Sequence, residues 1–268
     1  MKTPFVILHG WGASAKSYDK LKPLLEQKGI SVFVFDLPGF GNEPAPKSAW
    51  SVSDYVEWVN MKVKEDLDSC LRRNDKKESE NDEKEGGGVN NINKIVLFGH
   101  SFGGRIAIKF AAKYPEKLAG LILCDAAGIT PRPKAKIAIF SLLSKTGKII
   151  FSLTILKYFQ PIVRRIEYFL SGSRDYYYLQ NPIMKKVFNN VINEDLAEHL
   201  KKVTAPTLIV WGKNDKMTPV SDAYVMHEKI KGSKLEILEG TGHSPHLESP
   251  EVLADKIYNF LGELDVNN

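Results

Sequence analysis

The 268-residue chain has few cysteines and no long uncharged hydrophobic run. Its two cysteines, Cys70 and Cys124, fall in a predicted helix and in an apolar strand-like segment, and no disulfide is expected between them. The longest hydrophobic candidate, Ile137–Phe159, is interrupted by three lysines, so a membrane-spanning helix is not expected. The first residues also lack the pattern of a signal peptide. These absences predict a cytoplasmic protein with reduced thiols.

A large excess of charge of either sign is missing too. The formal net charge is +5, with 26% charged residues and 43% hydrophobic residues, which is ordinary for a soluble globular domain. A balance this modest does not by itself indicate a nucleic-acid-binding protein. No group of histidines, cysteines and carboxylates has the spacing of a metal site, and neither a metal nor an organic cofactor is expected.

Short β-rich segments alternate with amphipathic ones along most of the chain. The predicted strands are Phe5–Leu8, Ser31–Phe35, Lys94–Phe98, Leu118–Cys124, Thr207–Val210 and Lys234–Leu238. The predicted helices are Ala15–Gln27, Ser53–Leu71, Gly104–Tyr114, Val220–Ile230 and Val252–Leu261. Strands joined by helical crossovers form a parallel sheet with helices on both faces, so the sequence predicts an α/β fold with a sheet of about six strands.

Two segments interrupt this alternation. Arg72–Asn91 is almost entirely charged or Gly/Asn and is predicted to be a solvated loop. Thr130–Lys202 holds thirteen Lys or Arg against five Asp or Glu, together with many aromatic residues. We interpret residues 130–202 as a helical cap over a core formed by residues 1–129 and 203–268. Its candidate pocket residues are Phe140, Phe159 and Phe169.

The segment Val96–Gly104 joins an apolar strand to a helix through Gly-His-Ser-Phe-Gly. Gly-x-Ser-x-Gly in this setting is typical of a sharp turn on which the serine hydroxyl is exposed above the sheet. The two glycines allow the close approach of backbone that such a turn requires. A glycine-rich turn whose serine only caps the helix is the structural alternative, and other residues must decide between the two.

A serine hydroxyl needs an adjacent base, and the base needs a group that holds its tautomer. Two later strands are followed by loops that carry Asp215 and His243, which gives the chain order Ser101, Asp215, His243. Asp125, after the strand that follows the nucleophile helix, is the alternative acid. Asp215 is preferred because its loop carries the fuller motif.

In these motifs the chain resembles the α/β-hydrolase superfamily, in particular its serine esterases and lactonases with a helical cap. The resemblance implies that Ser101 is the nucleophile, His243 the general base and Asp215 the acid. It also implies that the backbone N–H groups of Trp11, in His9-Gly10-Trp11-Gly12, and of Phe102 form the oxyanion hole. The loop Asp36–Gly41 resembles the family's loop after the next strand and is interpreted as structural.

The chain departs from the family pattern at its start. The His9-Gly10 motif comes directly after the first predicted strand, so the two antiparallel strands that usually open this fold are expected to be missing. Ser31–Phe35 then becomes an apolar edge strand, and we expect it to be covered either by long loops or by a partner subunit. The protein is accordingly expected to be a monomer or a dimer.

The remaining histidines have other predicted roles. His9 and His100 are expected to be structural, and His199 and His227 to be solvated on helix surfaces. His246 lies near His243 in the sequence, but further metal ligands do not accompany it.

A serine nucleophile favours acyl transfer, and the leading hypothesis is a hydrolase of small-molecule carboxylic esters or lactones with small to medium apolar acyl groups. One alternative is a carbon–carbon bond hydrolase of vinylogous diketones, in which Arg164 or Arg165 would hold a substrate carboxylate. Another is an acyltransferase that uses the same acyl-enzyme. Neither a nucleic acid nor a membrane is expected as a partner.

Overall fold

A six-stranded parallel sheet forms the centre of the computed structural model, which describes residues 3–78, 94–129 and 181–266, without the side chains of 66–78 and 265–266. The strands are β1 (Phe5–Leu8), β2 (Val32–Phe35), β3 (Ile95–His100), β4 (Leu118–Cys124), β5 (Thr207–Gly212) and β6 (Lys234–Leu238). Their spatial order is β2-β1-β3-β4-β5-β6, and every neighbouring pair is parallel. The predicted α/β fold is confirmed, and β2 forms one edge of the sheet as expected.

Eight α-helices lie among the described residues. They are α1 (Leu21–Gln27), α2 (Val52–Glu78), α3 (Phe102–Lys113), α4 (Pro182–Asn193), α5 (Ala197–Leu200), α6 (Val220–Lys229), α7 (Pro245–Glu248) and α8 (Pro250–Val266). Two 3-10 turns, Ala15–Tyr18 and Pro115–Lys117, precede α1 and β4.

The sheet is buried on both faces, and alternate residues of each strand enter different hydrophobic clusters. In β1, Val6 and Leu8 belong to the cluster that α2, α3 and α6 cover, whereas Phe5 and Ile7 face the cluster that contains α1 and α8. This follows from the two-residue period of a strand. Helices on both sides explain why β1 to β5 are nearly continuous hydrophobic runs, whereas the edge strand β6 alternates Lys234 and Glu236 with apolar residues.

Two helix predictions were wrong in their extent. The predicted helix Ala15–Gln27 is divided into a 3-10 turn and α1, because Pro23 lacks a backbone N–H and is tolerated only in the first turn of a helix. The predicted loop Arg72–Asn91 was wrong for residues 72–78, which continue α2 to Glu78. These residues are mostly Arg, Lys and Glu, which have high helix propensity, and no glycine or proline interrupts them.

The described end of the predicted cap, residues 181–202, packs against the main core. Met184 and Val191 of α4, and Leu196 and Leu200 around α5, belong to the same buried cluster as α2 and α3. The side chain of Asn181 caps α4 by accepting hydrogen bonds from the backbone N–H groups of Ile183 and Met184. The boundary between core and cap stays a prediction, since residues 130–180 lie outside the described residues.

Candidate active site

The turn between β3 and α3 places Ser101 in a strained backbone conformation. Ser101 has φ 51° and ψ −111°, a region that few residues other than glycine adopt. A Cβ on Gly99 would lie 2.6 Å from the carbonyl oxygen of Gly103, and a Cβ on Gly103 would lie 2.1 Å from that of Leu8. The turn therefore requires glycine at both positions, as the sequence predicted. Strain of this kind persists where the surrounding structure enforces it, commonly at functional sites.

Ser101, His243 and Asp215 form one chain of hydrogen bonds at the carboxyl edge of the sheet. The Nε2 atom of His243 lies 3.1 Å from the Oγ atom of Ser101, and its Nδ1 atom lies 2.7 Å from Oδ2 of Asp215. Because an ionised carboxylate only accepts hydrogen bonds, Nδ1 carries the proton and Nε2 is left to accept the serine hydroxyl. The structure thus brings together the three side chains that the sequence predicted to act together.

The carboxylate of Asp215 is held by several donors besides His243. The backbone N–H groups of Met217 and Thr218 donate to Oδ1 at 2.7 and 3.0 Å, and the Thr218 hydroxyl donates to Oδ2 at 2.6 Å. Burial opposes ionisation of Asp215, but the hydrogen bonds from His243 and Thr218 outweigh it and hold its pKa at about 2. Asp215 is therefore ionised at neutral pH.

Thr218 is a site residue that the sequence reasoning missed. Its hydroxyl also lies 3.3 Å from Nδ1 of His243 and 3.1 Å from the backbone carbonyl oxygen of Asp125. An aspartate in a turn commonly accepts the backbone N–H two residues on, and here Asp215 accepts those of Met217 and Thr218, which brings the Thr218 hydroxyl to its carboxylate. That pattern was the available signal in the sequence.

Asp125, the alternative acid, also lies beside the site. A carboxylate oxygen of Asp125, one of Asp215 and a ring nitrogen of His243 all lie within 4.8 Å of one another. However, Nδ1 of His243 lies 2.7 Å from Oδ2 of Asp215, whereas Asp125 accepts the backbone N–H of Gly212 at 2.9 Å. The geometry favours Asp215 as the partner of His243.

A buried aromatic group lies behind His243. His100 donates from Nε2 to the backbone carbonyl oxygen of His243 at 2.7 Å. The ring of His246 lies 4.6 Å from that of His100 and stacks on Tyr18 at 4.5 Å between ring centroids. Burial lowers the pKa of His100 well below its usual value and that of His246 to about 4. Both imidazoles are therefore neutral at pH 7.

His100 links the three parts of the site. It precedes Ser101, it bonds the loop that carries His243, and its Nδ1 atom would lie 3.0 Å from a Cβ placed on Gly10. The same Cβ would lie 3.3 Å from Cβ of Ser101. The segment His9-Gly10-Trp11 is thus packed directly against the serine, which the pairing of Leu8 with Gly99 explains.

The loop after β1 is held by side chains on both sides. His9 accepts the backbone N–H of Leu37 on Nε2 at 2.9 Å, so its Nδ1 atom carries the proton that it donates to the carbonyl oxygen of Gly10. Asp36 accepts the N–H groups of Ala15 at 2.7 Å and Asn42 at 2.8 Å. Asp36 thus joins its own loop, which was interpreted as structural, to the loop that follows Trp11.

Four aromatic side chains, including that of Phe102 directly after Ser101, pack together as an aromatic wall. The ring of Trp11 contacts Phe40, Phe102 and Phe188 with ring centroids 4.8, 5.2 and 5.0 Å apart, in each case edge to face. Phe188 comes from α4, so this part of the predicted cap contributes to the wall. Phe102 also begins α3, where the first backbone N–H groups have no intrahelical partner.

Several residues singled out in the sequence lie elsewhere. The predicted pocket residues Phe140, Phe159 and Phe169, as well as Arg164 and Arg165, lie outside the described residues. His227 is exposed, and His199 on α5 is half-buried with an Nδ1 atom that lacks a partner among the described residues. Cys124 is a buried free thiol, and the side chain of Cys70 is not described. None of the helices in the described ranges is long and apolar enough to span a membrane.

Comparison with known proteins identifies the family. A family model described as serine aminopeptidase, S33, matches residues 1–250. A proline iminopeptidase from Saccharolobus solfataricus is 30% identical, over 97% of this chain and 84% of its own. A 2-hydroxy-6-oxononadienedioate/2-hydroxy-6-oxononatrienedioate hydrolase from Klebsiella pneumoniae is 27% identical, over 97% and 87%. A monoacylglycerol lipase from Mus musculus, ABHD6, is also 27% identical, over 98% and 76%.

Solved structures agree on the fold. An esterase from Exiguobacterium antarcticum superposes with a TM-score of 0.67 at 24% identity, covering 97% of this chain and 92% of that one. The parallel sheet, the strained serine turn and the match over residues 1–250 lead to one conclusion. The chain belongs to the S33 serine aminopeptidase family of α/β-hydrolases.

Proposed function

We propose that the protein is a serine hydrolase that cleaves carboxylic esters or lactones through an acyl-enzyme on Ser101. The observation that carries this proposal is the continuous hydrogen-bond chain from Ser101 through His243 to the ionised Asp215. A chain of this kind makes a weak hydroxyl nucleophile reactive at neutral pH.

In the first half of the reaction, Oγ of Ser101 attacks the carbonyl carbon of the substrate. Its proton moves to Nε2 of His243, which lies 3.1 Å away. Asp215 keeps the proton of His243 on Nδ1 and stabilises the imidazolium that forms. Collapse of the tetrahedral intermediate expels the alcohol, which takes the proton back from Nε2, and the acyl group stays on Ser101.

The negative charge that develops on the substrate oxygen needs fixed donors. The N–H groups of Trp11 and Phe102 supply them, each contributing about 3 kcal/mol to the stabilisation of the transition state. The loop of Trp11 is restrained by His9 and Asp36, so its N–H does not have to reorganise during the reaction. In the second half, His243 activates a water molecule that hydrolyses the acyl-enzyme.

The aromatic wall supports an apolar acyl group. The half-buried ring of Trp11 packs against the buried rings of Phe40, Phe102 and Phe188, so the side chains that adjoin the proposed oxyanion hole are apolar, as an acyl chain would require. The similarity to a monoacylglycerol lipase supports an ester as the scissile group. The similarities to a proline iminopeptidase and to a carbon–carbon bond hydrolase make peptide amides and vinylogous diketones the competing substrates.

The test is a substrate panel assayed with the wild type, Ser101→Ala and the exposed control Ser53→Ala. The panel contains aryl esters of graded acyl length, lactones, a prolyl arylamide and a vinylogous diketone. We expect kcat/KM to be highest for an ester or a lactone, and to fall by at least about 10⁴-fold in Ser101→Ala with no change in Ser53→Ala.

Two outcomes would contradict the proposal at different levels. Undiminished ester turnover by Ser101→Ala would exclude the acyl-enzyme mechanism. A wild type that an aryl fluorophosphonate labels on Ser101, but that prefers the prolyl arylamide or the diketone, would retain the nucleophile and reject the substrate class. Mass spectrometry of the labelled peptide separates these two cases.

A further inference from the structure

Asp125 is a buried carboxyl group that the proposed reaction does not use. It directly follows β4, and its side chain is completely buried. Asp125 and Ser101 are the two non-glycine residues of the described ranges that have positive φ, at 44° and 51°. The backbone of Asp125 is held in this strained conformation by the hydrogen bond that its N–H donates to the carbonyl oxygen of Val210, and its own carbonyl oxygen lies 3.1 Å from the Thr218 hydroxyl.

Among the described residues, no lysine or arginine side chain is hydrogen-bonded to the Asp125 carboxyl. Oδ1 accepts the backbone N–H of Gly212 at 2.9 Å, and Oδ2 lies 3.4 Å from the thiol of Cys124. The titratable groups that face it are Cys124 on its own strand, Asp215 after β5 and His243 after β6. One oxygen of its carboxyl lies within 4.8 Å of a carboxylate oxygen of Asp215.

Two carboxyl groups this close and this buried are not both ionised at neutral pH, so one of them retains a proton. The donor sets decide which one. Asp215 accepts from the His243 ring, from the Thr218 hydroxyl and from two backbone N–H groups, whereas Asp125 accepts from one backbone N–H and a weak thiol donor. The charge is therefore better stabilised on Asp215, and the proton belongs on Asp125.

The pKa values agree with this assignment. Burial raises the pKa of Asp125 to about 8; the N–H of Gly212 opposes this effect and the Asp215 carboxyl adds to it. The pKa of Asp215 is held at about 2.

We propose that Asp125 is a positioning residue that acts as a neutral carboxylic acid, donating its O–H to the Asp215 carboxylate and thereby fixing Asp215 against His243. The proposal rests on the proposed function only in so far as it names His243 as the base. The protonated carboxyl of Asp125 accepts from Gly212 with one oxygen and donates to Asp215 with the other. An asparagine can do both, since its amide has one acceptor oxygen and a donor nitrogen.

This equivalence defines the first test, in which Asp125→Asn and Asp125→Leu are compared on the best substrate of the panel at pH 7. We expect Asp125→Asn to retain kcat within about threefold, because it mimics the neutral acid. Asp125→Leu has a similar volume and no donor, and we expect its kcat to fall at least tenfold with little change in KM. Asp215→Asn is the reference for loss of the ionised acid, with an expected fall of about 10⁴-fold.

Each of these outcomes decides the matter. An Asp125→Asn variant as damaged as Asp215→Asn would show that Asp125 acts as an ionised acid, and the proposal would be wrong. Equal kcat for Asp125→Leu and the wild type would reduce Asp125 to a space-filling role.

The second test does not depend on activity and so separates this proposal from the proposed function. The infrared spectrum of the wild type at pH 6 should contain the C=O stretch of a protonated carboxylic acid, which disappears between pH 7 and pH 9 and is missing in Asp125→Asn. Because the pKa of Asp125 is higher in the folded state than in the unfolded state, its contribution to stability is lost as the pH rises through about 8. Between pH 6 and pH 9, the urea midpoint of the wild type should therefore fall relative to that of Asp125→Asn. The proposal would be overturned if the two midpoints changed equally with pH and the wild type lacked the infrared band of a protonated carboxylic acid.

Discussion

At the scale of single residues, the site depends on side chains that the triad motif does not contain. Thr218 holds the carboxylate of Asp215, Asp36 and His9 hold the loop of Trp11, and His100 holds the loop of His243. The contact of Thr218 is local, whereas those of Asp36, His9 and His100 join segments that are distant in the sequence. A small displacement in any of them would disturb the distance between Ser101 and His243, on which proton transfer depends.

The hydrogen bond from His100 to the backbone of His243 leads to a prediction. His100→Gln keeps a donor near the position of Nε2, whereas His100→Met has a similar length and no donor. We expect kcat for ester hydrolysis to stay within about twofold of the wild type in His100→Gln and to fall about fivefold in His100→Met, with KM nearly unchanged, since one lost hydrogen bond is worth about 1 kcal/mol. Steady-state kinetics and thermal melts of the two variants measure this. Equal kcat values would assign His100 a packing role alone.

At the scale of elements, the site is built where β1, β3, β4, β5 and β6 end on the same edge of the sheet. The parallel register brings Leu8 beside Gly99, and Gly99 beside Leu123, so the loops that follow these strands meet around Ser101. Ligands bind at this edge in open α/β sheets because loops from separate strands converge there. The edge strand β2 was correctly predicted, and its cover by loops or by a partner subunit stays a prediction.

The close packing of the turn after β3 gives a prediction about glycine. In Gly103→Ala the new Cβ would lie 2.1 Å from the carbonyl oxygen of Leu8, which is backbone and cannot move aside. We expect the free energy of unfolding to fall by about 3 kcal/mol or more. The control is Gly262→Ala in α8, where a Cβ meets nothing within 4 Å, and which should stabilise the helix by up to about 1 kcal/mol. Urea unfolding followed by circular dichroism measures both; similar midpoints would contradict the steric account.

At the scale of the whole molecule, the fold keeps several ionisable groups neutral inside it. Burial lowers the pKa values of His9 and His100 and lowers that of His246 from 6.5 to about 4, whereas it raises that of Asp125 to about 8. The histidines and Asp125 make the stability depend on pH in opposite senses. The histidine contributions are complete above the unfolded-state pKa and decline as the pH falls, whereas the contribution of Asp125 declines as the pH rises.

His246 allows this dependence to be measured for one group. An unfolded histidine binds a proton below about pH 6.5, and the folded one does not until about pH 4, so the wild type should lose about 2 kcal/mol from this residue between pH 7.5 and pH 5. In His246→Phe that loss should be missing, while the exposed control His227→Phe should behave like the wild type. Urea unfolding at pH 7.5 and pH 5 measures this loss for each protein. The contribution of Asp125 is the same in the wild type and both variants, so it does not affect the comparison. An equal loss in His246→Phe and the wild type would contradict the role of burial.

The sequence by itself determined the fold class, the six strands, the strained turn at Ser101 and the chain order of Ser101, Asp215 and His243. These depend on local patterns: hydrophobic periodicity, glycines that permit a close approach, and polar residues directly after strands. The tertiary structure decided which carboxyl bonds His243, that Asp125 lies beside it without replacing it, and that His100, Thr218 and Asp36 connect the loops. Most of these contacts join residues far apart in the chain, and the register of the sheet, which no local pattern encodes, determines which of them meet.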